Sequence, residues 1–277
     1  MVKITFLGTG GGRVVVINQL RATGGWILEM DDQMFHIDPG PGALARAREY
    51  GVPLRKVTGI IISHPHPDHY ADAEMVVEAM TIGVNKKRGV IIGGKNVIKG
   101  GEKHRAVFSP YHLNAVERYE ILEPGKETKT SNIKIRATPV KHGDSEGVGF
   151  VFEGERNRIG YTSDGEYFDG QEKYFTNCDV LVINCLRPRG DSWPEHMDSE
   201  QAKELIVKTR PKAAVLKHFG TKMLRGVAEK EAAWIEKETG IRTIAARDGM
   251  VLEIKNEKIE ISKSGGKGGG SLEGFLK

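Results

Sequence analysis

Cysteine is nearly missing from this 277-residue chain, which holds only Cys178 and Cys185. Neither belongs to a CxxC pair, which excludes a thiolate zinc-finger framework. They flank the apolar stretch Val180-Leu181-Val182-Ile183 and read as two buried free thiols rather than as a disulfide staple. No apolar run approaches the ~20 residues of a membrane span, and the mean hydropathy is −0.38. Charge of one sign is also lacking. Lys plus Arg number 41 against 37 Asp plus Glu, a formal +4, too mild for a chain whose whole surface grips nucleic acid. The stretch Met1-Val2-Lys3-Ile4-Thr5-Phe6-Leu7-Gly8 has one charge and a short apolar run ending in glycine. It has no basic segment, long apolar core or cleavage site of a signal peptide. The expectation is a first β-strand and a cytoplasmic protein.

What is present suits a globular core. Hydrophobic residues make up 39% and charged residues 28%, too much apolar material for a disordered chain. Glycine, at 35 residues, forms no repeat and punctuates many short elements. Apolar runs predict strands at 3–7, 25–30, 34–38, 57–63, 90–92, 133–140, 147–152 and 158–163, and again at 180–184, 213–217, 243–245, 250–254 and 258–261. Helices are expected at 41–50, with Pro41 in the first turn, and at 71–80. Two more are expected at 199–208, preceded by Asp198 with Gln201 in capping-box spacing, and at 224–239, ending at Gly240. No linker divides the chain, so residues 1–263 read as one domain with sheets inside and helices outside. Residues 264–277, SGGKGGGSLEGFLK, read as a Gly-rich flexible tail.

One strand opens into an unusual turn. Gly59-Ile60-Ile61-Ile62 leads to Ser63-His64-Pro65-His66-Pro67-Asp68-His69. Three histidines and an aspartate within six positions form a metal-ligand cluster, and the two prolines stiffen it, reducing the entropy lost when ligands are ordered. His64 and His66 can converge on one ion, while Asp68 and His69 can face a second. His142, Asp164 and His218 each lie just past an apolar β-run, so all can project from one sheet edge. Asp38, before Pro39-Gly40, is either a turn former or a residue that orients a metal-bound imidazole.

Residues 64–69 match the HxHxDH signature in full, and the chain resembles the metallo-β-lactamase fold superfamily from Phe6-Leu7-Gly8-Thr9-Gly10 to about Met250. The resemblance implies a four-layer αββα sandwich of two mixed β-sheets with helices on the outer faces, in the α/β class. It also implies that His64, His66 and His142 hold one ion, that Asp68, His69 and His218 hold the other, and that Asp164 bridges them. Five histidines and two carboxylates suit two Zn²⁺, with Mn²⁺ or Fe as competitors.

His196, in Trp193-Pro194-Glu195-His196-Met197-Asp198, precedes the capped helix. Its setting resembles the phosphodiesterase branch, that of tRNase Z and the cyclic-phosphate phosphodiesterases, where such a histidine protonates the leaving oxygen. Met197-Asp198 departs from the His-Ser-Thr form of tRNase Z. Arg187 and Arg189 carry forked guanidinium groups suited to phosphate. Residues 86–105 hold seven cations against the single acid Glu102, interleaved with glycines; they read as a solvated loop or as a mobile basic arm meeting a phosphate-bearing substrate. The loop Gly8-Thr9-Gly10-Gly11-Gly12-Arg13 lacks any phosphate-loop context and reads as a tight turn near the active edge.

The expected function is a dinuclear metal-dependent hydrolase. Its substrate would be a cyclic phosphate, nucleotide or RNA phosphodiester, attacked by metal-bound hydroxide with Asp68 and His196 as catalytic groups. The alternatives are a thioester or lactam hydrolase of the glyoxalase II or β-lactamase type, and a non-catalytic RNA-binding or scaffold member. Partners are a phosphate-containing small molecule or RNA, with a homodimer among the assemblies the resemblance allows.

Overall fold

The computed structural model describes residues 1–143 and 146–264. Apart from Ser264, the Gly-rich tail lies outside the described residues. Fifteen strands are described: β1 Val2–Gly8, β2 Thr23–Met30, β3 Gln33–Ile37, β4 Gly59–Ile62, β5 Val90–Gly93, β6 Arg118–Ile121, β7 Glu127–Thr130, β8 Ile133–Pro139, β9 Val148–Glu153, β10 Arg158–Tyr161, β11 Val180–Asn184, β12 Ala213–Lys217, β13 Thr243–Ala245, β14 Met250–Lys255 and β15 Lys258–Lys263. The helices are α1 Arg13–Asn18, α2 Ala43–Glu49, α3 Pro67–Tyr70, α4 Ala73–Thr81, α5 Lys95–Lys99, α6 Pro110–Ala115, α7 Glu172–Phe175, α8 Ser199–Thr209 and α9 Val227–Thr239.

The strands make two sheets. One has the order β15-β14-β1-β2-β3-β4-β5-β6 and the other β13-β12-β11-β10-β9-β8-β7. Strand alternation explains why they stack. In β1, Val2, Ile4 and Phe6 point between the sheets, and Leu7 points outward. In β4, Ile61 faces in while Ile60 and Ile62 face out. In β11, Val180 and Val182 face in while Leu181 and Ile183 face out. Three apolar clusters follow. One lies between the sheets around Trp26, Phe35, Phe150 and Phe152; one lies under α2 and α4; one lies under α8 and α9. Three cores between four layers give the αββα sandwich expected from the sequence.

Parallel pairing positions the site. β3, β4, β5 and β6 run parallel in the first sheet, and β10, β11, β12 and β13 in the second. Their connections therefore leave from one edge of the sandwich, the usual place for ligand sites in open α/β sheets. β8 is antiparallel to β9 and β9 to β10, so β8 also ends at that edge.

Several expectations change in detail. Residues 86–105 are not a loose loop or arm throughout: β5 pairs with β4, and Val97 and Ile98 of α5 are buried. The strand expected at 90–92 is present as β5, and the segment that follows it is partly helical. β6 and β7, which the sequence does not announce, are polar strands of two edge regions with mostly uncovered side chains. Arg13 begins a short helix rather than closing a turn. Both cysteines are free and buried as expected, and burial pushes each thiol up to about 12. Among the described residues, no helix is long and apolar enough to cross a membrane.

Candidate metal centre

The turn after β4 begins with Ser63 and enters α3 at Pro67, a favoured first helical position. This extended-to-helical change aims successive side chains at one point. His64 Nε2 lies 3.0 Å from His66 Nδ1, which is 3.3 Å from His142 Nε2 at the end of β8. One turn of α3 further, His69 Nε2 lies 3.3 Å from His218 Nε2, and Asp68 Oδ2 is 3.3 Å from the same His218 nitrogen. Asp164, past the end of β10, sits between the groups. Its Oδ2 is 3.9 Å from His64 Nε2, 3.5 Å from His69 Nε2 and 3.3 Å from His218 Nε2. All seven residues expected to act together are brought together. The sets His64–His66–His142 and Asp68–His69–His218 each place their potential ligand atoms within 4.8 Å of one another.

The rings are oriented for a cation. His69 Nδ1 faces the Asp38 carboxylate at 2.9 Å, and His142 Nδ1 faces the Glu195 carbonyl at 2.9 Å. Both partners only accept, so each Nδ1 carries a proton and each Nε2 points inward. The ring nitrogens that converge at 3.0–3.3 Å need a positive charge among them, either a proton or a metal ion. The donor set therefore fits divalent metal ions.

Charge is distributed to match. For His69, burial opposes the charged form, but Asp164, Asp38 and Asp68 overcome it and hold the pKa well above the ordinary value. Burial would raise Asp164, yet His218 and His69 hold its carboxyl well below the ordinary value. Burial, reinforced by the neighbouring His69, keeps His64 neutral. The carboxylates are thus ionised, and His64 and His66 are held as neutral imidazoles, as a metal ion requires of its ligands.

A buried network holds this geometry. Asp38 Oδ1 accepts from Ser63 N at 2.8 Å, while Oδ2 accepts from Ser63 Oγ at 2.8 Å and from Tyr161 Oη at 2.5 Å. Asn184 Nδ2 donates to Asp164 Oδ1 at 2.6 Å and to Tyr161 Oη at 3.1 Å, and Lys217 Nζ donates to Asn184 Oδ1 at 3.3 Å. Of these, sequence reasoning identified Asp38 and missed Ser63, Tyr161, Asn184 and Lys217. A signal existed: Asn184 and Lys217 are polar residues closing apolar strands at the edge where the histidines gather. Backbone strain is present here too, since Asp38, Ser163 and His218 have φ of 51°, 61° and 65°. Gly11 explains one glycine of the first loop, for a Cβ there would lie 2.2 Å from His218 Nδ1.

The remaining expected residues divide. His196 reaches the cluster, with Nδ1 3.7 Å from Asp164 Oδ2 and its ring centroid 4.9 Å from that of His142. Burial lowers its pKa to about 4. Arg187 stays near the same loop, its guanidinium 4.8 Å from the Trp193 ring centroid. Arg189 is not brought to the cluster: its guanidinium sits 4.2 Å from the Trp234 ring centroid and its Nε 3.8 Å from Glu231 on α9. A cation flanked by an aromatic ring and a carboxylate is satisfied without phosphate. The sequence did not point to His104, whose ring centroid lies 5.6 Å from that of His66. It brings one turn of the basic segment to the rim of the centre.

Known proteins resemble this chain in sequence and in fold. The sequence model of the beta-lactamase superfamily domain matches residues 33–219. An uncharacterized protein of Methanocaldococcus jannaschii, MJ1374, is 38% identical over 259 residues, covering 93% of this chain and 97% of that one. A ribonuclease Z of Methanopyrus kandleri is 28% identical over 138 residues, covering 50% of this chain and 46% of the relative, so the match spans about half that enzyme's length. Among solved structures, a diphosphatase from the PhnP family superposes with a TM-score of 0.69 at 18% identity, covering 92% of this chain and 98% of the other.

Proposed function

Because the chain belongs to the beta-lactamase superfamily of metal-dependent hydrolases, we propose that it hydrolyses a phosphodiester of a cyclic phosphate, nucleotide or RNA at a centre of two zinc ions. The observation that carries this reading is the placement of His196 against Asp164 and His142, where a phosphodiesterase needs a proton donor and a thioester or lactam hydrolase does not. The names of two similar proteins, a ribonuclease Z and a diphosphatase, support the choice of a phosphorus–oxygen bond.

His64, His66 and His142 would hold one cation, Asp68, His69 and His218 the other, with Asp164 shared between them. Such a pair supplies acidified water and Lewis-acid stabilisation of charge developing on phosphoryl oxygens. The chain's own groups do the rest. Asp68, kept ionised by His69 and His218 against the effect of burial, accepts a hydrogen bond from the attacking water and orients it. His196 faces the departing oxygen and gives it a proton, since an alkoxide leaves poorly. Its pKa of about 4 belongs to the site without an anion; a bound phosphodiester places negative charge beside the ring and favours the imidazolium. Asp38, Ser63 and Tyr161 hold His69 in register, and Asn184 holds Asp164.

The test is hydrolysis of bis(p-nitrophenyl) phosphate and of a 2′,3′-cyclic nucleotide, with S-acyl glutathione as the competing substrate. Turnover of the phosphodiesters is expected. His196→Ala should lower the rate on the cyclic nucleotide by about 10²–10⁴-fold and affect the activated p-nitrophenyl ester less. Hydrolysis of S-acyl glutathione with none of either phosphodiester contradicts the proposal.

A further inference from the structure

The chain has three tryptophans, and they are treated very differently. Trp26 is fully buried between the sheets, and Trp234 is covered by Arg189 and Lys203. Trp193 is 52% exposed, a costly way to leave a large aromatic unless something covers it in use. Its position is specific. Trp193 and His196 form an isolated antiparallel bridge, and His196 N donates to Trp193 O at 3.2 Å. The indole is thus tied by backbone to the histidine that touches the metal centre.

The ring is also pinned. The Arg187 guanidinium lies 4.8 Å from its centroid and is steadied by Asp191 at 3.5 Å, while Ser192 Oγ donates to Asp198 at 2.5 Å and anchors the next residue to the start of α8. The same loop reaches the centre at Glu195, whose φ of 63° turns its carbonyl onto His142 Nδ1. A fixed, half-exposed indole backed by a cation, one short loop from a phosphate-handling site, is the arrangement on which planar bases stack. At His66 the cluster also adjoins His104, with Lys103 and Arg105 exposed beside it. The surroundings of the centre therefore offer an aromatic ring and cationic side chains.

We propose that Trp193 is a stacking platform for the base of a nucleoside phosphate whose phosphate occupies the metal centre. This deepens the phosphodiesterase reading and rests on it. It narrows the substrate from any phosphodiester to one carrying a nucleobase beside the scissile group. Arg187 then acts as the support of the indole rather than as a phosphate ligand.

Calorimetric titration of the metal-loaded protein with AMP and with ribose 5-phosphate tests the platform without turnover. The wild type is expected to bind AMP about tenfold more tightly than ribose 5-phosphate, the size of one base–aromatic stack. Trp193→Ala should bring AMP to the level of ribose 5-phosphate and leave ribose 5-phosphate unchanged, which shows that the metal centre still takes the phosphate. Trp193→Phe should restore most of the difference. Equal affinities in the wild type, or a preference for AMP that survives in Trp193→Ala, overturn the inference. Hydrolysis of bis(p-nitrophenyl) phosphate separates the two claims. Turnover without base preference sinks the platform alone, whereas base preference without any phosphodiester turnover sinks the phosphodiesterase reading and leaves only a nucleotide-binding platform.

Discussion

Asp38 shows how much a single side chain decides in this centre. Its buried carboxylate accepts from Ser63, Tyr161 and His69 at 2.5–2.9 Å, and it fixes the His69 tautomer. Asp38→Asn keeps the shape and removes the charge, so affinity for the second cation should fall about 10–100-fold with little change in the circular dichroism spectrum. Competition against a fluorescent zinc chelator measures this, and unchanged affinity would remove Asp38 from the account. Gly11→Ala tests the opposite face of the site. A methyl group 2.2 Å from His218 Nδ1 must displace that ring, so phosphodiester turnover should drop by more than about 10²-fold while the Tm moves little. Wild-type turnover would mean that His218 is not needed where it stands. His36 is a different case, buried beneath the site with Nε2 2.8 Å from Gly24 O. Burial lowers its pKa from 6.5 to about 4. Between those values the unfolded chain takes up a proton that the folded chain refuses. Stability from the neutral ring is therefore complete above pH 6.5 and is lost as pH falls towards 4, by about 3 kcal/mol at ~1.4 kcal/mol per unit. Urea unfolding of His36→Gln across pH 7 to 4 should show a shallower decline than the wild type, and parallel curves would count against this assignment.

Among the elements, the ones legible in the sequence are those whose cause is local. The His64–His69 turn is contiguous, so its density of ligands is visible without a fold. β11, β12 and the amphipathic α8 announce themselves by unbroken or periodic apolar residues. β6 and β7 do not, because each exists through a partner strand and buries at most one of its four side chains. The Asp38–Tyr161–Asn184 network was only partly legible for the same reason: its members are 123 and 23 residues apart in pairs, and a lone polar residue in a strand carries no mark of its partner. Arg189 looked like a phosphate ligand because sequence shows its charge and hides the Trp234 ring beneath it. α8 supplies the test at this scale. Asp198 caps it by accepting from Gln201 N at 2.9 Å, as the spacing predicted, and also takes the Ser192 hydroxyl. The Gln201 side-chain oxygen finds no partner, so the reciprocal half of the capping box is not formed through it. Asp198→Ala should cost about 1 kcal/mol and lower the Tm by about 2–4 °C, measured by calorimetry. A loss of less than half a degree would mean that the cap contributes nothing.

The whole molecule is a pair of sheets that neither completes the centre alone. Asp38, His64, His66, Asp68 and His69 follow strands of the first sheet, and His142, Asp164 and His218 follow strands of the second. The inner core fixes their separation, with Phe152 of β9 packed edge-on against Trp26 of β2 and tilted against Phe35 of β3. Phe152→Ala should cost about 3–5 kcal/mol and loosen cation binding with it, because the ligands ride on both sheets. Cations that clasp the two sheets bind the folded chain and not the unfolded one, so chelation should lower the Tm by roughly 5–10 °C. The number of cations held is the most direct measure of the central claim. Mass-spectrometric metal analysis of the zinc-saturated protein, after removal of free ion, should give two per chain for the wild type and at most one for His218→Ala. One or none per wild-type chain, or two retained in that variant, contradicts a dinuclear centre built from these seven side chains.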